Sequence, residues 1–517
     1  MYKLGIDVGG TNTDAVLIDE DLNIVAAIKN PTSNDIYSGI MGAMEAVLSE
    51  SGVDRSLVTQ AMLGTTQCTN AIVERKSLAP IAVLRIGAPA SVGIPPMVDW
   101  AADIAAVSVD SAIIEGGFEY DGKRLAPFDE AACRSFFEGV KGKVESVAIS
   151  CVFSTVRNDD ELRAAEIARE VLGQDAHVSI SSEIGSMGLI ERENATILNA
   201  ALHEVAKRFT EGFAQSLADK GVTNAEVYLS QNDGTLMTME HARRYPILTI
   251  ACGPTNSIRG ASYLTRRRDA IVIDVGGTTT DLGVLSNGFP RESGVAVTIG
   301  GVRTNFRMPD LVSVGLGGGS IVRTDDDGRV TVGPDSVGYK VTEEALCFGG
   351  KTLTATDIVV AKGLAEGVGD PSLVANLDAN LVEGAYAEIT RIIEDAVDAM
   401  KTSAGDVKVI LVGGGSILSP EELDGASEVI RPGNFGVANA VGSAISQVSG
   451  QVSKVFSLTE TPRETALAEA KQRACENAVE AGADPGSVEI VEVEIIPMAY
   501  LGDALCIRTK AVGNLKL

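Results

Sequence analysis

Residues 6–14 read IDVGGTNTD, and residues 273–281 read IDVGGTTTD, with Asn12 against Thr279 as the one difference. Each copy follows an apolar, strand-like run (3–6 and 270–273) and precedes another (15–18 and 282–285), so each is a strand, glycine turn, strand unit. The copies are 267 residues apart, a domain-sized spacing unlike the periods of roughly 20–50 residues that mark solenoids. A chain built on this repeat is expected to fold as duplicated halves. At 517 residues it also exceeds what one hydrophobic core usually supports, which points to two or three domains.

The chemistry of such a loop follows from its residue types. Adjacent glycines, Gly9-Gly10 and Gly276-Gly277, turn tightly and expose consecutive N–H groups, and Thr11, Thr13, Thr278 and Thr280 add hydroxyl donors to the same concavity. That cradle suits phosphate, with Asn12, Asp14, Thr279 and Asp281 completing the two loops. An aspartate ending the preceding strand can hold Mg²⁺ directly or through water, so Asp7 and Asp274 are the expected catalytic and metal-binding residues. One copy alone could be a glycine turn beside a solvated aspartate. Two near-identical copies favour a nucleotide-phosphate site.

Helix and strand patterns alternate along the chain, the mark of an α/β fold. Ser33 or Asn34 caps a helix carrying Ile36, Ile40, Met44 and Val47. The stripe Ile197, Ala201, Val205, Phe209, Phe213 and Leu217 predicts one helix ending near Gly221. Another, on Val382, Tyr386, Ile389, Ile393, Val397 and Met400, leads to a strand at 407–412 and then Gly413-Gly414-Gly415. From about Ser449 the pattern changes. Thr461-Pro462-Arg463-Glu464 reads as a capping box with proline at the first helical position, and strands at 488–495 and 505–512 complete a small βαββ unit. The expected division is 1–185 and 186–448 for the two halves, with 449–517 as a separate C-terminal α+β appendage.

A formal net charge of −27 repels phosphate backbones and anionic headgroups, which argues against nucleic acid and membrane partners. It would repel ATP as well, so a nucleotide has to be held by local N–H donors and a bound cation. No run approaches a membrane span, and the first residues lack the pattern of a signal peptide, so a cytoplasmic location is expected. Seven cysteines without a CxxC pair read as reduced, buried thiols; Cys252 is among them rather than a nucleophile. Three histidines, separated in sequence, give little support to an imidazole-rich zinc site.

The doubled loop resembles the phosphate-binding hairpins of the actin and sugar kinase ATPase superfamily. That resemblance implies two duplicated actin-like (ribonuclease H-like) domains closing on ATP and Mg²⁺, with a third glycine-rich turn for the adenosine. Residues 410–417, ILVGGGSI, are similar to that turn, so Gly413, Gly414 and Gly415 are its expected contacts.

Further segments are similar, in order over about residues 1–445, to the ATP-binding A subunit of the hydantoinase/oxoprolinase family. They are GTTQCTNAIVER at 64–75, Cys252-Gly253-Pro254, SVGLGGGS at 313–320 and Thr354-Ala355-Thr356-Asp357. On this basis Thr65, Thr66 and Asn70 are candidates for orienting a small polar substrate, and Gly317, Gly318 and Gly319 for lining phosphate or substrate; Glu74-Arg75 reads as a structural pair. The resemblance implies an ATP-dependent amidohydrolase component that phosphorylates a cyclic amide (a hydantoin, 5-oxoproline or a lactam), with a metal-containing B-type subunit completing hydrolysis. The chain is shorter than the family's usual A subunit and its βαββ unit differs from the usual C-terminal region. A small-molecule kinase, an ATP-driven conformational activator of another enzyme, and self-association of the chain stay open.

Overall fold

A computed structural model describes residues 1–10, 12–31, 36–294, 296–325, 328–498 and 503–515. Thr11 of the first loop and the expected helix caps Ser33 and Asn34 lie outside the described residues. The architecture is mixed α/β, organised around several sheets.

Each IDVGGTxTD unit is a β-hairpin beside a parallel strand. In the first, Tyr2–Val8 pairs antiparallel with Asn12–Asp19 and parallel with Val58–Thr65. In the second, Ala270–Val275 pairs antiparallel with Thr280–Ser286 and parallel with Val407–Val412. The registers agree: Asp7 stands opposite Asp14, and Asp274 opposite Asp281. A further antiparallel strand follows each hairpin on its outer side, Ile24–Pro31 in the first and Leu311–Val314 in the second.

Alternation decides which face packs where. Leu4, Ile6 and Val8 point into a core with Ile40, Met44, Val47, Phe209 and Phe213, from the helices Ile36–Ser51 and His203–Asp219. Gly5 and the strand partners Val16 and Ile18 face the helix Ala438–Ile445 instead, through Ala440, Val441 and Ala444. On the second sheet Ile271, Ile273 and Val275 pack against the long helix Ala379–Met400, while Val272, Ile410 and Val412 meet Ile258 and Ala261 of the helix Cys252–Thr265.

The two small-residue helices, Cys252–Thr265 and Ala438–Ile445, therefore lie between the sheets and against each other. Their approach leaves no room for side chains: a Cβ on Gly260 would stand 1.8 Å from the Ala438 carbonyl oxygen, and one on Gly442 1.8 Å from that of Asn256.

Three features depart from the sequence expectation. The stripe from Ile197 to Leu217 spans two helices, Leu189–Ala201 and His203–Asp219, interrupted at Leu202. The C-terminal βαββ unit is no separate appendage: Val448–Ser457 pairs parallel with Leu236–Thr238, so it and the strands Ala504–Gly513 and Glu489–Pro497 extend the first sheet to nine strands. Glu226–Ser230, assigned from sequence to the second half, also lies in that sheet, so boundaries at 185 and 448 do not follow the sheets. Hydrogen-bonded edges, which a linear pattern does not encode, decide this. Within the unit, the helix Arg463–Glu480 starts one residue later than expected, with Pro462 at the N-cap and no side-chain cap from Thr461.

Residues 81–180 form a further, four-stranded parallel sheet with its own core. A fully buried ion pair ties it to the helix Leu189–Ala201: Arg85 Nε donates to Glu193 Oε2 at 2.7 Å, and Ser150 Oγ donates to the same oxygen at 2.7 Å. Removing one partner of such a pair costs about 3–5 kcal/mol, because the other charge is left uncompensated.

Candidate active site

The two glycine turns are closed in the same way. Gly9 N–H donates to the Asn12 carbonyl at 2.9 Å, and Gly276 N–H to the Thr279 carbonyl at 2.8 Å. Gly10, Thr278 and Thr279 at the turn tips are exposed, Asn12 and Gly277 half-buried. Thr13 and Thr280 are buried beneath the turns, and the Thr280 hydroxyl donates to the Leu316 carbonyl at 2.7 Å, so it is spent within the protein instead of facing phosphate.

Each leading aspartate folds its carboxylate over a glycine of the neighbouring parallel strand or the turn after it. A Cβ on Gly64 would lie 2.0 Å from Asp7 Oδ1, and one on Gly413 2.2 Å from Asp274 Oδ1. Gly413 also has φ +85°, a conformation in which a side chain is strained.

Consecutive residues of one helix reach both carboxylates. Asn256 Nδ2 donates to Asp7 Oδ1 at 2.9 Å, and Ser257 Oγ donates to Asp274 Oδ2. Asn439, from the helix Ala438–Ile445, donates to Asp7 Oδ2 at 3.0 Å. Lys29 pairs with Asp14 at 2.8 Å and donates to the Gly436 carbonyl, linking the first hairpin to the opposite half. Sequence reasoning missed Asn256, Ser257, Asn439 and Lys29. The Gly253-Pro254 pair marked the neighbourhood of the first two, but nothing local marks Asn439 as a partner of Asp7 or Lys29 as a partner of Gly436, hundreds of positions away.

Electrostatically the site is over-supplied with negative charge. Burial raises the Asp7 pKa from 3.8 to about 6; the charges of Asp14 and Asp274 add to this, and the amides of Asn256 and Asn439 oppose it. Burial raises Asp274 also, against the Ser257 hydroxyl and Lys29. Asp281 rises to about 6, from burial first and then the charge of Asp274. Asp14, likewise raised by burial, is held down by Lys29. Beside Asp7 the buried Asn256 Oδ1 has no hydrogen-bond partner among the described residues. Among those residues no group of three or more His, Cys, Asp or Glu is arranged to hold a metal ion.

The remaining candidates are distributed unevenly. Thr65 ends the strand beside Asp7, and Thr66 follows it. Thr66 precedes the helix Gln67–Glu74, where Asn70 Nδ2 donates to its hydroxyl at 3.4 Å. Gly414 is exposed, close to Lys29, whereas Gly413 N–H donates to the Phe435 carbonyl and Gly415 N–H to the Val275 carbonyl. Gly317, Gly318 and Gly319 differ from expectation: they are buried, and their N–H groups donate to Ser320 Oγ, the Gly276 carbonyl and the Gly277 carbonyl. They brace the second loop from behind. Thr356 extends the brace with two bonds to the Gly318 carbonyl, and Asp357 caps its own helix. Glu74 and Arg75 do not pair with each other; they bind Lys76 and Asp103. Cys252 is buried, its thiol pushed far up by burial, in keeping with an inert role.

Residues 3–172 match the hydantoinase/oxoprolinase N-terminal region, and residues 192–400 match the hydantoinase/oxoprolinase domain. The caprolactamase alpha subunit of Pseudomonas jessenii is 27% identical over 71% of this chain and 55% of its own length. The acetone carboxylase beta subunit of Xanthobacter autotrophicus is 24% identical over 70% and 54%. The chain thus spans little more than half the length of these relatives. The crystal structure of the ATP-dependent caprolactamase of Pseudomonas jessenii superposes with a TM-score of 0.78 at 19% identity, covering 100% of this chain and 88% of that one, which establishes a shared fold. With both domain matches in sequence order over the two hairpin-bearing sheets, the chain belongs to the hydantoinase/oxoprolinase family.

Proposed function

We propose that the chain is the ATP-using component of an enzyme that activates a cyclic amide for ring opening. The observation that carries this reading is the convergence of Asp7 and Asp274 on one helix, each beneath a glycine turn of the same register. The repeated strand order supports taking the two sheets as duplicated actin-like domains, with ATP between the turns and its adenosine toward Gly414.

A buried carboxylate and a half-buried one, both with raised pKa values, and a buried amide oxygen without a partner fit a hydrated divalent cation. Mg²⁺ held by Asp7 and Asp274 would supply neutralisation of the phosphate oxygens. Asn256, Ser257 and Asn439 keep the two carboxylates oriented, and the N–H groups at the open turn tips face the phosphates. Thr65, Thr66 and Asn70, next to Asp7, position the substrate.

An unstrained lactam is a poor electrophile. Transfer of the γ-phosphoryl group from ATP to its carbonyl oxygen gives ADP and an imidoyl phosphate. Water then adds to the carbon, the ring C–N bond breaks as the protonated nitrogen leaves to give an acyl phosphate, and a second water hydrolyses that to the carboxylate and free phosphate. Positioning and charge neutralisation account for the first step. The second belongs to a B-type partner subunit in this reading. The carboxylase relatives favour a second reading, in which the phosphorylated oxygen belongs to a ketone.

The test is release of ADP and phosphate over hydantoins, 5-oxoproline, lactams, sugars, and ketones with bicarbonate, with and without a B-type subunit. Stimulation by a cyclic amide with phosphate release is expected. A stable phosphorylated sugar would assign a kinase, turnover responding to a partner protein alone would assign an activator, and silence with every cyclic amide would overturn the assignment.

A further inference from the structure

One large cavity is remote from the hairpin turns. It encloses about 1220 Å³ between the C-terminal half of the helix Cys252–Thr265, the turn at 286–294 and the C-terminal strands Glu489–Pro497 and Ala504–Gly513. Its lining inverts the charge of the molecule. The chain has 43 basic against 70 acidic residues, yet eight arginines and Lys510 line this cavity against five glutamates.

Several of these cations are already paired, Arg307 with Glu292 and Arg508 with Glu494 among them. Arg259, Arg266 and Arg268 are different: no carboxylate lies within 4 Å of them among the described residues. Arg259 lies over the Phe289 ring, 4.2 Å from its centroid, and donates to the Gly288 carbonyl; its Nε is buried without a hydrogen-bond partner. Burial holds its guanidinium down to about 10, against the charge of Asp233. Complementing the helix dipole explains basic residues at 266–268, just past the helix end. It does not explain Arg259 within the helix, nor Arg303 and Arg508 brought in from other strands.

We propose that this cavity is a second ligand site, which binds a small polyanion through Arg259, Arg266 and Arg268. Guanidinium groups suit phosphate and carboxylate alike, because their planar fork donates two parallel hydrogen bonds. The ligand is small because the −27 field of the whole chain repels an extended polyanion, while a pocket of this volume accommodates a metabolite.

Calorimetric titration of the full chain with pyrophosphate, and separately with citrate, at constant ionic strength tests this. The variant is the double substitution Arg266→Ala and Arg268→Ala, at two exposed side chains whose loss leaves the core intact. Binding of at least one anion, weakened tenfold or more in the double variant, is expected; the anion that binds assigns the phosphate or the carboxylate class. Unchanged affinity in the double variant would place the anion elsewhere, at the hairpin turns for example, and overturn the proposal. Absence of binding by both anions would overturn it as well.

Discussion

Asp7 is kept at a cost in stability. Its side chain is 3% exposed and its pKa stands near 6 against 3.8 in the unfolded chain, so the folded state resists the ionised form. The penalty is fully present above pH 6 and disappears below about 3.8, where both states are protonated. A rise of this size corresponds to on the order of 2–3 kcal/mol. Asp7→Asn is therefore expected to stabilise the ligand-free chain at pH 8, and much less at pH 4, while abolishing nucleotide turnover; paired thermal melts at the two pH values check the first part. Asp274→Asn should likewise remove turnover with the fold intact by circular dichroism, and near-normal activity would sink the cation-site assignment. If ionised Asp7 is the working form, Mg²⁺-dependent turnover should fall as the pH drops through about 6, and a flat pH profile from 5 to 8 would contradict that role.

At the scale of elements, the crossing of Cys252–Thr265 over Ala438–Ile445 sets the geometry of the site, because Asn256 and Asn439 sit at the contact and both hold Asp7. Gly442→Ala puts a methyl group 1.8 Å from the Asn256 carbonyl oxygen, an overlap with backbone that no side-chain rotation relieves. The helices must separate, at a cost of about 1–3 kcal/mol or more. Turnover is expected to fall at least tenfold even below the melting temperature, since the same shift draws the Asn256 amide off Asp7; a variant that loses stability but keeps full activity would show that the crossing does not position the carboxylate. The glycines at 317–319 teach a related lesson. Their spacing suggested a phosphate nest, but their donors are consumed by the loop they support.

Across the whole molecule, one buried cluster joins segments that the sequence separates widely. Lys510, from the last long strand, pairs with Asp233 at 2.9 Å and Glu292 at 3.2 Å, while Ser449 and Gln451 each donate to Asp233 at 2.8 Å. These partners bring the Asp233 pKa down to about 2, against the effect of burial. Their stabilisation is complete above about pH 4 and lost as the pH falls toward 2. Asp233→Asn should destabilise the chain by about 3 kcal/mol at pH 7, with the difference shrinking in acid; denaturant unfolding at pH 7 and pH 3 measures it. The cluster also explains why the C-terminal βαββ unit is integral to the fold: its strands complete a sheet and its lysine completes a charge network.

The sequence by itself determined the two hairpins, their aspartates and the family, because a hairpin with a glycine turn is a local structure and its residues carry their own conformational instructions. The long helix Ala379–Met400 was legible for the same reason, through spacing within a few turns. Only the tertiary structure decided that Asn256, Ser257 and Asn439 hold the carboxylates, that residues 448–513 extend the first sheet, and that arginines from four segments share one cavity. Those arrangements depend on sheet edges pairing and helices crossing between residues hundreds of positions apart, and no periodicity along a single chain encodes which distant partner a given edge or donor meets.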